Sequence, residues 1–374
     1  LFLPAGSKDE MGSSLNNRFS VMEKFRNVTT LRGYKPISTP VIEYASTFTN
    51  EFIDMKLQDM MKWFNGEGEI EVLRPDWTTA IARALSSQEK KPQKWTYQGS
   101  VFKRNMPGVE YHQIGVEIIH YPELMGESEC LLMAQAFLKE IGVGACVIEL
   151  GHTEIYESLV EELQLSKFEA ERLRQAMHDK KKDEVYQIAL SHSNKEKAYE
   201  LASLVDAFGP IEIIDEYEEK WKGRENVLGT LQHIKKLAKI LMESGSGEIL
   251  VDLGRVKNLP YYSGLMFRGF LQSSGAVCFS GGRYDRLYEQ FGESISAVGV
   301  ALDVEVLAAQ VIETDLFERI CIIANEESLA YAENVRHSFQ NCIVDVQSES
   351  VNVKGYNRVY EIKKLNGKFE VIER

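Results

Sequence analysis

Apolar positions recur at three- and four-residue spacing over residues 14–32, where Leu15, Phe19, Met22, Phe25 and Val28 form one stripe and Gly33 follows as a stop. This spacing predicts an amphipathic helix. The next stretch, 37–43, reads as extended chain; Pro40 has no amide to give a ladder, which places it at an edge or a bulge. A short strand over 69–74 runs into a helix starting near Asp76, with Thr78 in its first turn. Two strand-like stretches, 94–103 and 109–120, flank a connection ending in Pro107-Gly108, so the pair reads as a long hairpin. Helical spacing returns over 127–141 (Cys130, Leu131, Ala134, Phe137, Leu138, Ile141), and 145–150 reads as a buried strand.

From 153 to 246 the texture changes to helix formers, with the charge run Asp179–Asp183 and no strong strand. This predicts an all-helical insertion within a mixed domain. Strands resume at 248–253, 261–271, 276–280 and 297–301, with helices over 284–291 and 303–311. Residues 317–374 form a small βαββ-like extension. The expected organisation is a core of 1–152 and 247–311, an insertion of 153–246, and the extension. Strands clustered around a few helices predict an α+β fold with a largely antiparallel sheet flanked by helices.

Charge narrows the partners. The 43 basic residues against 56 acidic ones leave −13, which excludes a uniformly basic nucleic-acid coat but not a local basic patch. No apolar run approaches a membrane span. The start, Leu1-Phe2-Leu3-Pro4, lacks the charged leader of a signal peptide. Five dispersed cysteines (130, 146, 278, 321, 342) form no CxxC pair and read as reduced core thiols of a cytoplasmic protein. No phosphate-binding GxxxxGK motif and no HExxH is present, and the seven histidines show no metal spacing, so neither cofactor nor metal is expected.

Four strings remain as candidates for chemistry. In Leu73-Arg74-Pro75-Asp76-Trp77-Thr78 the carboxylate suits either a ligand ammonium or a helix cap. Alternation along Tyr111, Gln113, Gly115 and Glu117 puts these four on one strand face, an arrangement suited to a small polar ligand or simply an exposed polar face. Tyr261-Tyr262-Ser263-Gly264 reads alone as strand packing. Gly281-Gly282-Arg283-Tyr284-Asp285, followed by Gly299 and Glu305-Val306-Leu307, reads as a glycine turn, a strand and a helix.

The order of these strings, more than any one of them, resembles the catalytic core of class II histidyl-tRNA synthetases over roughly residues 5–311. The resemblance implies the class II antiparallel sheet and a homodimer built around the Pro40 segment. It also implies a histidine cradle of Asp76, Thr78, Gln113, Glu117, Tyr261 and Tyr262. Carboxylates pair with an α-ammonium, and Gln or Tyr meets either imidazole nitrogen, so the chemistry suits that ligand.

The ATP side departs from the family. An Arg-x-Glu after Phe102 is replaced by Lys103-Arg104-Asn105, and a one-residue shift turns Arg104 to the opposite face. The arginine of Arg-Gly-Leu-Asp-Tyr-Tyr becomes Lys257, and the arginine of Glu-Arg-Leu becomes Val306. Each lost charge-stabilising donor typically costs about 2.7–4 kcal/mol in the transition state. Val109-Glu110 replaces a basic pair, and the short tail stands where the family carries a larger anticodon-reading domain, which argues against tRNA as a partner. A retained cradle without a phosphate grip resembles the non-catalytic regulatory subunits of short-form ATP phosphoribosyltransferase, the first enzyme of histidine biosynthesis. That resemblance implies no catalysis by this chain, a hetero-octamer with short catalytic subunits, and feedback by L-histidine. An active histidyl-tRNA synthetase with substituted phosphate ligands is the alternative.

Overall fold

The computed structural model describes residues 2–50, 53, 55–88, 90–104, 108–144, 146–257, 261–292, 295–311, 317–348 and 352–374. The chain divides into two units, Leu1–Val311 and Ile312–Arg374. In the first, a nine-stranded sheet runs in the order Lys35–Pro36, Gln93–Phe102, Glu110–Ile119, Ala297–Asp303, Val277–Arg283, Leu265–Leu271, Cys146–His152, Ile249–Asp252, Phe208–Pro210. The centre is antiparallel throughout. Parallel pairing occurs toward the edges, between Lys35–Pro36 and Gln93–Phe102 and between Cys146–His152 and Ile249–Asp252.

One face of the sheet is covered by helices Ser13–Leu31, Glu123–Glu140 and Glu225–Glu243, whose apolar stripes meet Ile114, Val116, Ile118, Ile148, Leu150 and Phe267 in one core. The stripe read from Leu15 to Val28 does this through Val21 and Phe25, which are fully buried, while Phe19 stays exposed. A second core on the opposite face collects Trp77, Tyr97, Tyr261, Tyr284 and Tyr288. Pro40 lies in no strand: the chain leaves the large sheet after Pro36 and enters a three-stranded sheet (Ile42–Tyr44, Ile70–Leu73, Lys62–Phe64).

Three expectations need correction. The insertion carries helices from Thr153–Glu161 to Glu225–Glu243 but is not wholly helical, since Phe208–Pro210 adds an edge strand beside Ile249–Asp252. Three residues containing Gly209 and Pro210 give no readable strand period. The strand expected from 261 begins at Leu265, because Ser263 instead bonds to the Arg283 carbonyl and the tyrosine pair turns out of the ladder. The helix expected over 284–291 is a 3₁₀ segment, Asp285–Phe291. The C-terminal unit is a four-stranded sheet ordered Cys342–Gln347, Glu318–Ile323, Arg358–Leu365, Lys368–Glu373, with helix Leu329–Arg336 between its first two strands in sequence. All five cysteines are free thiols, four of them buried. No described helix is long and apolar enough to cross a membrane.

Candidate functional site

The period of two along Glu110–Ile119 splits its side chains cleanly: Ile114, Val116 and Ile118 enter the helix-covered core, and Tyr111 and Glu117 face the second core. Glu117 is 1% exposed. Its Oε1 accepts a 2.8 Å hydrogen bond from the Thr78 hydroxyl, and its Oε2 accepts one from Tyr284. Gly299 lies directly opposite Glu117 in the ladder, and a Cβ there would overlap the carboxylate. Gly115 likewise leaves room for the ring of its cross-strand neighbour Tyr97.

Aromatic rings wall this carboxyl. Tyr97 stacks on Trp77 at 5.0 Å between centroids, Tyr261 meets Tyr284 edge-on at 6.2 Å, and Tyr262 lies 5.3 Å from Tyr261. Arg74 caps the far side of Trp77 at 3.5 Å and donates to the carbonyls of Thr39 and Ser100, so it fixes the walls and does not reach the site. Burial pushes the Glu117 carboxyl up to about 8; the Tyr284 and Thr78 hydroxyls oppose the shift, and the Asp76 charge adds to it. Burial also raises Tyr97, Tyr261 and Tyr284 well above the ordinary phenol range.

Asp76 caps helix Trp77–Leu85, accepting from the Thr79 amide at 2.7 Å through Oδ1. The helix-cap reading of this residue is the one its contacts show; its field also bears on Glu117, Tyr97, Tyr261 and Tyr262. Gln113 is half-buried on the Glu117 strand, with no side-chain hydrogen bond among the described residues. Thr78, Glu117, Tyr261 and Tyr262 therefore converge around one buried carboxyl, with Asp76 at the rim. Tyr284, Tyr97 and Trp77 were not singled out in the sequence. Tyr284 was legible only as the fourth residue of the Gly281–Asp285 string, because its contact with Glu117 spans 167 positions.

The positions that the family resemblance assigns to the nucleotide are arranged differently. Lys257 pairs with Glu157 at 2.6 Å, on the first helix of the insertion. Val306 packs against the main core from helix Val304–Ala308. Arg104 is exposed at the hairpin end, and Asn105–Pro107 and Asn258–Pro260 lie outside the described residues. Beyond Tyr111, a cavity of about 960 Å³ is lined by the carboxylates of Asp9, Glu10, Glu110 and Glu305 against Lys8 and Arg18. Glu305 accepts from the His112 amide at 3.1 Å and bonds its Nδ1 at 2.8 Å. Arg18 is engaged by Glu10 at 3.0 Å and by the His112 ring.

Fold and site together define a protein of the histidyl-tRNA synthetase type, and a model of that family matches residues 6–307. An ATP phosphoribosyltransferase regulatory subunit of Clostridium acetobutylicum is 31% identical over 319 residues, covering 82% of this chain and 78% of its own. One from Bacillus cereus is 32% identical over 357 residues, covering 90% and 83%. A solved structure from Bacillus halodurans, described as an ATP phosphoribosyltransferase regulatory subunit/histidyl-tRNA synthetase, superposes with a TM-score of 0.83 at 24% identity, covering 96% and 97%. The chain belongs to the family of ATP phosphoribosyltransferase regulatory subunits.

Proposed function

We propose that this chain is a non-catalytic regulatory subunit of histidine biosynthesis: it assembles with a short-form ATP phosphoribosyltransferase catalytic subunit and makes that subunit responsive to L-histidine. The observation that carries this reading is the division of the site. Glu117, Thr78, Tyr261, Tyr262 and Tyr284 converge with Asp76 at the rim, whereas Lys257, in the place of an activating arginine, is turned to Glu157 and Val306 is packed in the core. The guanidinium forks that hold a triphosphate are absent from these positions, and the carboxylates lining the adjoining cavity oppose one.

Histidine binds in the cradle, its α-ammonium toward Asp76 and its imidazole toward Gln113 and the tyrosine pair, with the neutral Glu117 carboxyl as a hydrogen-bonding partner. Self-association uses the Pro40 segment, where Ile42, Tyr44 and Phe64 on the small sheet are 50%, 49% and 73% exposed. The working assembly is a hetero-octamer with the catalytic subunit in the cytoplasm. Regulation follows from linkage: histidine shifts the assembly toward the state it binds better, by its differential affinity.

Mixing the chain with a short-form catalytic subunit and assaying phosphoribosyl transfer with and without histidine tests this. Activation by the chain and inhibition by histidine are expected. Robust histidine-dependent exchange of pyrophosphate into ATP by the chain alone would overturn it.

A further inference from the structure

The charge run Asp179–Asp183 sends one side chain, that of Lys180, to a buried carboxylate. Helix Lys167–His178 ends in a turn whose Lys180 adopts a left-handed φ of 56°, a conformation that ordinarily favours Gly or Asn. There Lys180 reaches both oxygens of Asp252 at 3.0 Å, at the end of strand Ile249–Asp252. Beside this pair, between the insertion and the sheet, lies a cavity of about 330 Å³ lined by His178, Lys180, Asp252, Arg255 and Arg268 among others.

Its lining carries three permanent cations against one carboxylate. A second carboxylate, Glu149, stands behind the arginines and holds both through one oxygen: Arg268 Nε and Nη2 at 3.1 and 2.6 Å, and Arg255 Nη1. The remaining donors, Arg255 Nε and Nη2 and Arg268 Nη1, have no hydrogen-bond partner among the described residues. The Arg255 side chain is only 11% exposed. Burial and the neighbouring Arg268 charge hold its guanidinium below the usual arginine range, which marks an under-compensated cation. In a chain of net charge −13 this is a local concentration of cations.

We propose that this cavity binds a phosphoryl anion: free phosphate or pyrophosphate, or the phosphate of a small phosphate ester. With Asp252 and Glu149 both counted, the three cations leave one positive charge in excess, and the open edges of two guanidinium groups supply the forked donors that phosphate oxygens accept. None of the cradle residues around Glu117 lines this cavity, although Arg255 lies close enough to Tyr262 to act on it electrostatically, and the proposal does not require histidine to bind in the cradle.

Calorimetric titration of the full chain with phosphate, pyrophosphate and ribose 5-phosphate, at constant ionic strength set by chloride, tests this. Saturable binding of at least one of them, at one per chain, is expected. Arg268→Gln and Lys180→Gln should each weaken it tenfold or more, while Lys239→Gln, which removes one cation from an exposed helix position, should leave it unchanged. Lys180 is 43% exposed, so its variant keeps the test meaningful if Arg268→Gln unfolds. Tighter binding of ribose 5-phosphate than of the inorganic anions identifies an ester, and the reverse a free anion. Absence of saturable binding up to about 10 mM of all three, or an equal loss in all three variants, would overturn the proposal.

Discussion

At the scale of single residues, Glu117 sets the character of the site. Its folded-state proton affinity, about 8, lies above the ordinary 4.5, so the folded chain holds a proton that the unfolded chain releases. That stabilising contribution is complete below about pH 4.5 and is lost as pH rises through about 8, at up to about 1.4 kcal/mol per unit. In the ligand-free protein, urea midpoints should therefore fall between pH 5.5 and 8.5, and Glu117→Gln should flatten that decline. A wild-type profile that rises with pH over this window would refute the assignment. Asp76 separates two roles by chemistry. Asp76→Asn keeps an acceptor for the Thr79 amide and should change stability by less than about 0.5 kcal/mol, whereas Asp76→Ala should cost about 1 kcal/mol through the lost cap. If the carboxylate also meets the ligand's ammonium, both variants should bind histidine at least tenfold more weakly by calorimetry.

At the scale of elements, what was legible followed from local period. Alternation placed Tyr111 and Glu117 on one face, and the stripe ending at Val28 placed the first helix, because both signals come from neighbouring residues. The placements of Tyr284, of the strand Phe208–Pro210 and of Lys180 against Asp252 depend on partners far away in the chain, and no spacing records them. A further long-range unit joins helix Glu123–Glu140, strand Val277–Arg283 and the insertion helix Glu225–Glu243: Glu127 takes Arg283 Nε at 3.0 Å and His233 Nε2, while Arg283 also reaches Asp285 at 3.1 Å. Glu127 and Arg283 are almost fully buried, so Glu127→Ala leaves an under-paired charge and should cost about 3–5 kcal/mol in urea unfolding. The hydrogen bond to Glu127 raises the His233 pKa, so its contribution is full below 6.5 and lost as pH rises through the raised value. His233→Gln should remove that component of the pH profile while leaving the Glu117 component in place.

At the scale of the whole molecule, if the chain binds histidine without a reaction, that ligand can act only through equilibria. If histidine favours one assembly state with the catalytic subunit, thermodynamic reciprocity requires the catalytic subunit to change this chain's histidine affinity by the same factor. A coupling of about 1–3 kcal/mol corresponds to roughly 5- to 150-fold. Two independent titrations check it: histidine into the chain with and without saturating catalytic subunit, and catalytic subunit into the chain with and without saturating histidine. The two ratios should agree, and both should collapse toward one in Glu117→Gln if the cradle is the regulatory site. Equal ratios that persist in Glu117→Gln would keep the linkage but move the effector elsewhere, to the subunit interface or to a pocket on the catalytic chain. Ratios of one in both titrations of the wild type, with transfer still inhibited by histidine, would mean that histidine acts on the rate of transfer alone, a coupling that this cradle cannot supply by binding.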